Sequence, residues 1–560
     1  MSRHHIKSLL EFFCFRIVLL TSLLFSCQTG RLSKPLVQNE NATKPKNVIL
    51  FIGDGMGPQQ LGLLLAYAQK APGSFYKGRK TSFEKIAGHP YGRMGLMTHN
   101  PSGAIVIDSA SAASQIATGV PTLNEVVGLD TKWRPVETVL EQAKNSGKST
   151  GLVTDTRLTH ATPAAFASHV PHRSLENEIA KQIVNSRNVD VLLGGGLRHW
   201  IPKSVGKDNE VTKSLKDLIG PNSEHFKLKS KRKDEVNLLL KAQKGGHELV
   251  FDRDQLEKSE VKSNKLLGLF SYSGMENGLS HRIKKNNPQR IFPTLKDMTK
   301  KALNVLERNP KGFFLMVEAG QIDWAGHQND AGTMLNEMVK FDEAIAAVLE
   351  WVKGRKDTVV IVTADHETGS FGFSYSKSNV VGSRKLQEEE YKNSPFKPNF
   401  NFGPFSLLDR IYHQKKTLVE IIKEFKDSKK GLDHLIWLVE KNTSFKITME
   451  EARKIMEVED NNFWVKNHKY LSKKRIPKVE GPLKSFYVYP GDAHANNLGL
   501  MLSEKQNTVW GTGTHTNTPV PLLFLDTSNS LIGKTKLGSL VSNTDLGKIL
   551  KNLVGKELKL

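Results

Sequence analysis

The sequence predicts an α/β protein built on a mainly parallel central sheet with helices on both faces. Continuous apolar runs recur along the chain, each the length of one strand buried on both sides, and helical patterns lie between them. Residues able to bind metal sit just beyond several of these runs, where open parallel sheets hold their ligands.

The folded part opens at Asn47-Val-Ile-Leu-Phe-Ile52, followed by Gly53-Asp54-Gly55. Runs at 150–153, 189–193, 312–317, 358–362 and 520–525 read as further strands, and patterns at 136–145, 175–185, 295–307 and 333–351 read as helices. Asp54, Glu318 and Asp365 then fall one to three residues past strand ends. Two segments break the alternation. Residues 203–290 are lysine-rich and weakly patterned, and a longer interruption at about 371–500 separates His366 from His515. The latter has a helical middle: Leu418–Phe425 is amphipathic, and Thr448-Met-Glu-Glu451 is a capping box. The expected organisation is an export signal at 1–26, a polar tether at 27–46, and a catalytic domain at 47–560 carrying these two insertions.

The N-terminus has a basic start (Arg3, Lys7, Arg16), an apolar core at 17–25 and a small residue before Cys27, the pattern of an export signal. Leu24-Phe25-Ser26-Cys27 further resembles a bacterial lipobox, which makes Cys27 the expected site of a lipid anchor and the mature protein periplasmic or membrane-anchored outside the cytoplasm. Cys14 and Cys27 are the chain's two cysteines, so no disulfide is expected within the mature protein. The formal charge is +23, and removing residues 1–26 takes away Arg3, Lys7, Arg16 and Glu11, leaving +21. The lysines are scattered, and the densest run, 227–233, reads as a solvated face rather than a nucleic-acid site; a positive field still attracts anionic substrates.

Carboxylates and imidazoles without thiolates suit Zn²⁺ and Mg²⁺. Asp323 and His327, at i and i+4, converge if their segment is helical. His366 beside Asp365 follows a buried strand, and His515 lies in the loop Gly511-Thr-Gly-Thr-His-Thr before the last strand. Ser109 precedes the small-residue helix pattern 110–117, where free N–H groups and the helix dipole favour phosphate. Alone it reads as an N-cap, the commonest use of such a serine, and the surrounding metal ligands reverse that reading. A hydroxyl next to a metal becomes a nucleophile without a histidine base. Arg173 offers a guanidinium fork that matches phosphate.

Taken in order, Gly53-Asp54-Gly55-Met56-Gly57, Asp108-Ser109-Ala110, Ala161-Thr162-Pro163-Ala164-Ala165, Glu318-(x4)-Asp323-(x3)-His327, Ala364-Asp365-His366-Glu367-Thr368-Gly369 and Thr514-His515-Thr516 resemble the alkaline phosphatase family. The resemblance covers roughly 47–200, 290–373 and 485–530. It implies an alkaline phosphatase-like fold and the hydrolysis of phosphate monoesters through a phosphoserine on Ser109, with Arg173 clamping phosphate and Asp108 orienting Arg173. It further implies two Zn²⁺, one held by Asp323, His327 and His515 and one by Asp54, Asp365 and His366, and one Mg²⁺ held by Asp54, Thr162 and Glu318. A homodimer is a further expectation, since family members are commonly dimeric. His160 stands where the best-known bacterial enzymes carry aspartate beside the magnesium site, and Trp324 where they carry lysine.

Alternatives are a phosphodiesterase or a phosphatase of restricted range, and a non-catalytic lipoprotein that binds phosphate or metal. A sulfatase requires a Cys or Ser in a C/S-x-P-x-R context, which Ser109-Ala-Ser-Ala-Ala does not provide. Turnover separates the enzymes from the binding protein.

Overall fold

The computed structural model describes residues 44–480, 483–529, 531, 535 and 537–555; the expected export signal and Cys27 lie outside the described residues. Ten strands form one sheet: Asn47–Gly53 (β1), Gly92–Thr98 (β2), Ser149–Arg157 (β3), Val191–Gly195 (β4), Glu248–Val250 (β5), Leu266–Leu269 (β6), Phe313–Ala319 (β7), Thr358–Thr363 (β8), Val520–Asp526 (β9) and Leu540–Ser542 (β10). Their spatial order is β10-β2-β9-β8-β1-β7-β3-β4-β6-β5. Neighbours pair in parallel, except that β9 runs antiparallel to β8 and β2.

Every residue of β1, β7, β8 and β9 is buried. Their continuous Val, Ile, Leu and Phe sequence follows from this, because both faces of each strand are covered. The helix Ala331–Trp351 packs against this core with Met334, Leu335, Met338, Phe341, Ile345 and Val348 buried, the spacing of one wide apolar stripe.

β1, β7, β3 and β8 stand side by side, so their carboxyl ends open on one edge of the sheet. Asp54 follows β1, Asp365 lies two residues beyond β8, and His160 lies three beyond β3. Because β9 is antiparallel, its amino end lies at that same edge, and His515 precedes β9 rather than following it. One topological exception thus brings a residue near the end of the chain to the ends of the early strands.

Glu318 departs from expectation. It lies inside β7, paired in register with Ile52 and Thr154, because parallel neighbours on both sides extend the strand past the last apolar residue. The 203–290 segment also does more than interrupt, since β5 and β6 continue the parallel sheet at its edge. The expected capping box of Thr448 with Glu451 forms, and a second, Thr417 with Glu420, opens the earlier helix Leu418–Ser428. The helix Leu418–Ser428 buries Leu418, Ile421, Ile422 and Phe425 on one face.

Candidate active site

The helix Ser109–Thr118 begins with Ser109 itself, and its N-cap is Asp108. The Asp108 carboxylate accepts from the backbone N–H groups of Ala110 and Ser111 at 3.2 and 3.1 Å. The capping role is thereby filled by the neighbour, leaving the Ser109 hydroxyl for other work. Ser109 Oγ lies 3.1 Å from His366 Nε2.

Asp108 also accepts from the backbone N–H of Glu125 at 2.8 Å and from Arg173 Nη1 at 2.8 Å. Burial alone would raise its pKa, but Arg173 and these backbone N–H groups override burial and hold the carboxyl below the usual range. One carboxylate therefore contacts both the helix end and the guanidinium. Arg173 Nη2 lies 3.4 Å from His160 Nε2.

Three groups of side chains place ligand atoms within 4.8 Å of one another: Asp323, His327 and His515; Asp54, Asp365 and His366; and Asp54, His160 and Glu318. In the first, Asp323 and His327 lie on the single short helix Gln321–His327, with His327 Nε2 3.2 Å and His515 Nε2 3.5 Å from Asp323 Oδ1. Gly55, at φ +80°, admits this helix: a Cβ there would stand 2.6 Å from the Asp323 Cα.

Hydrogen bonding fixes the tautomers. His327 Nδ1 contacts the Gly513 carbonyl at 2.8 Å, and His515 Nδ1 contacts the Ile107 carbonyl at 2.9 Å. A carbonyl only accepts, so both Nδ1 atoms carry hydrogen, and in the neutral rings both Nε2 atoms present lone pairs. Those Nε2 atoms are 3.2 Å apart, a repulsive approach that a cation between them makes favourable. His366 follows the same logic. Thr368 Oγ1 donates to Asp323 Oδ1 at 2.6 Å, so it accepts from His366 Nδ1 at 3.2 Å. The His366 Nε2 lone pair then faces Asp54 Oδ1 and Asp365 Oδ2, each at 3.4 Å. Hydrogen bonds of this kind, made by the nitrogen away from the metal, orient metal-binding imidazoles.

The carboxylates carry the same signature. Asp54 Oδ1, Asp365 Oδ2, Glu318 Oε1 and His160 Nδ1 are buried with no hydrogen-bond partner. Burial, and then the neighbouring carboxylates, push Asp54 and Asp365 well above the usual carboxylate range. Buried acids this close together require positive charge. The donor sets fit divalent cations, nitrogen-rich for Zn²⁺ around Asp323 and oxygen-rich around Glu318.

At the oxygen-rich group, Glu318 Oε2 accepts from the hydroxyls of Thr154 and Thr156, which leaves Oε1 free. Thr162 Oγ1 lies 3.4 Å from Asp54 Oδ2. His160 Nδ1 lies 3.8 Å from Glu318 Oε1, so His160 is within ligand distance of the same carboxylates as Thr162. Burial, followed by Arg157 and Arg173, lowers the His160 pKa against the pull of Glu318. Trp324 meets the His160 ring edge-on at 6.1 Å.

A cavity of about 410 Å³ opens over Ser109, Arg173, His327 and His515. Tyr489, Asp492, Lys469 and Tyr470 line it as well, so the 371–500 segment reaches the site. Sequence reasoning missed these four residues, together with Asp155, Arg157, Glu176 and Lys340. Asp155 Oδ1 accepts from the Gly320 N–H at 2.7 Å, between Glu318 and Asp323. Lys340 neutralises Asp155 at 2.9 Å and also pairs with Glu337. A lysine one turn beyond Glu337, on the polar side of the long helix, was the available signal.

A sequence profile of the alkaline phosphatase family matches residues 45–463. Alkaline phosphatase 3 of Bacillus subtilis is 30% identical over 95% of this chain and 95% of its own. Among solved structures, the alkaline phosphatase of Thermus thermophilus superposes with a TM-score of 0.69 at 23% identity, over 95% of this chain and 96% of that one. A histidine-to-aspartate variant of the alkaline phosphatase from the Antarctic bacterium TAB5, solved with magnesium bound, gives 0.54 at 20% identity over 92% and 99%. The match of the family profile over most of the chain, supported by a full-length relative, establishes that this chain belongs to the alkaline phosphatase family, enzymes that hydrolyse phosphate monoesters.

Proposed function

We propose that the chain hydrolyses phosphate monoesters in two displacements through a phosphoserine at Ser109, using two zinc ions and one magnesium. What carries the reading is the Ser109 hydroxyl, at a helix N-terminus whose cap is supplied by Asp108, 3.1 Å from His366 and in one cavity with Arg173. Asp323, His327 and His515 would hold one zinc, Asp54, Asp365 and His366 the other, and Asp54, Thr162 and Glu318 the magnesium, with His160 beside it. Bound there, such ions lower the pKa of a hydroxyl or water and neutralise charge on the entering and departing oxygens.

Arg173, aligned by Asp108, binds two phosphate oxygens and presents phosphorus to Ser109. Ser109 Oγ forms the new P–O bond as the bond to the alcohol oxygen breaks. The serine proton passes to solvent and the departing alkoxide takes one up. Water then attacks the same phosphorus, the P–Oγ bond breaks, Ser109 regains a proton and phosphate leaves. The helix dipole, positive at the Ser109 end, favours the phosphate's negative charge throughout.

Export with a lipid on Cys27 belongs to the same reading, supported by the signal pattern at 1–26. The deciding experiment quenches the enzyme in acid during turnover of an aryl phosphate and maps the phosphopeptide. Label on Ser109 is expected; turnover with no label there overturns the reading.

A further inference from the structure

Three rings lead outward from the cavity floor. The Tyr489 ring meets His327 edge-on at 4.9 Å and 83°. Tyr470 meets Tyr489 at 5.1 Å and 84°, and Lys469 Nζ sits 4.8 Å over the Tyr470 ring. Edge-to-face packing fixes the orientation of such rings.

The ladder is firmly mounted. Val458–Asp460 pairs antiparallel with Arg475–Pro477, and the buried Asn461 closes the loop between them by donating to the Leu471 and Lys473 carbonyls at 3.1 and 2.9 Å. Tyr489 is held from the other side. It precedes the helix Ala493–Gln506, whose Asn496 donates to the His327 carbonyl at 2.6 Å. The segment carrying Tyr489 is thereby tied to the very residue its ring touches. Tyr470 nevertheless remains 37% exposed, although it lines the same cavity as Ser109.

An in-line displacement places the entering and departing oxygens on opposite sides of phosphorus. Ser109 enters from the side of His366, within contact of that group. The alcohol therefore departs past Asp323, His327 and His515, where Tyr489 packs on His327. Lys469 and Asp492 contribute opposite charges to this wall, so it has no net preference for a second charged group. Its consistent feature is aromatic surface.

We propose that Tyr489 and Tyr470 form the subsite for the alcohol portion of the ester. They select monoesters whose alcohol carries a planar ring, aryl or nucleoside phosphates, over small aliphatic ones. The assignment rests on Ser109 being the nucleophile, since that fixes the side of departure.

The test uses non-hydrolysable ligands and needs no turnover of a ring-bearing substrate. Competitive inhibition constants of phenylphosphonate and methylphosphonate are measured for the wild type, Tyr470→Ala and Tyr470→Phe, all against one aliphatic substrate. The wild type binds phenylphosphonate about fivefold to tenfold more tightly, the worth of one ring–ring contact. In Tyr470→Ala, which leaves Tyr489 alone, the ratio falls at least twofold, and Tyr470→Phe, which keeps the ring, retains it. Equal binding of the two phosphonates by the wild type, or an unchanged ratio in Tyr470→Ala, overturns the subsite. Failure of the catalytic reading shows separately, as turnover without label on Ser109.

Discussion

Ser109 owes its freedom to its neighbour, because Asp108 satisfies the helix N-terminus. Ser109→Ala is therefore expected to keep the helix and the metal groups intact, while kcat falls about a thousandfold or more. Acid-stable phosphoenzyme persisting at wild-type level in the variant would remove Ser109 from its role. At the group of Asp54, Glu318 and His160, an imidazole adds no negative charge where a carboxylate would supply both charge and a hard oxygen. Activity of the purified enzyme should rise on adding Mg²⁺, and His160→Asp should retain magnesium more firmly and flatten the response. Matching activation curves for the two proteins refute this. Residues whose partners lie a turn away were legible in the sequence: Asp323 with His327, and Asp108 with Ser109. Asp155, Arg157 and Tyr489 were not, because each acquires its meaning from a side chain far along the chain. His160 was noticed as a departure from the family pattern, yet its approach to both Asp54 and Glu318 needed the fold.

At the scale of elements, the doubly buried strands β1, β7, β8 and β9 were legible because burial on both faces leaves unbroken apolar runs. β2 and β10 were not, since β2 buries only Gly92 and Met97 and exposes Met94 and Leu96, and β10 spans three residues. β5 and β6 were hidden by the lysines around them. The helix Glu176–Ser186 carries a test of its own through Glu176 in its first turn. Burial would raise the Glu176 pKa, but Arg157 at 2.7 Å, His199 at 3.2 Å and the Thr159 hydroxyl hold it down, at about 2. An unfolded glutamate titrates near ~4.3, so the folded state binds fewer protons between the two values. The stabilisation is present above the unfolded pKa and is lost as pH falls through the folded one, amounting to roughly 3 kcal/mol. Glu176→Gln should lower the urea midpoint at pH 7 and differ less from the wild type at pH 3; an equal difference at both values disproves the ion pair's role. Lys340 tests the turn behind the metal groups. Removing one partner of a buried ion network costs about 3–5 kcal/mol, so Lys340→Met should unfold at distinctly lower urea, and an unchanged midpoint would show Asp155 to be neutral.

Across the whole molecule, unpaired acids and facing imidazole lone pairs make the site a source of instability until cations enter. A ligand present at a thousand times its Kd stabilises the folded state by about 4 kcal/mol. Chelation should thus lower Tm and activity together, with both restored by adding Zn²⁺ and Mg²⁺; activity lost at constant Tm would separate the metals from the fold. Cys27→Ala should release the protein from the membrane fraction or leave its signal uncut, and identical fractionation and mass of the two forms would refute lipidation. The antiparallel strand β9 has a consequence for synthesis. Because β9 enters the sheet backwards, His515 reaches the site from near the end of the chain, bonded to the Ile107 carbonyl 408 positions earlier. A ribosome has therefore made Asp54, Ser109 and Arg173 long before the last imidazole exists. On the proposed reading, the growing polypeptide is expected to stay silent towards phosphate esters until its closing segment emerges, and a message cut short before that codon is expected to yield an inert fragment rather than a partial enzyme.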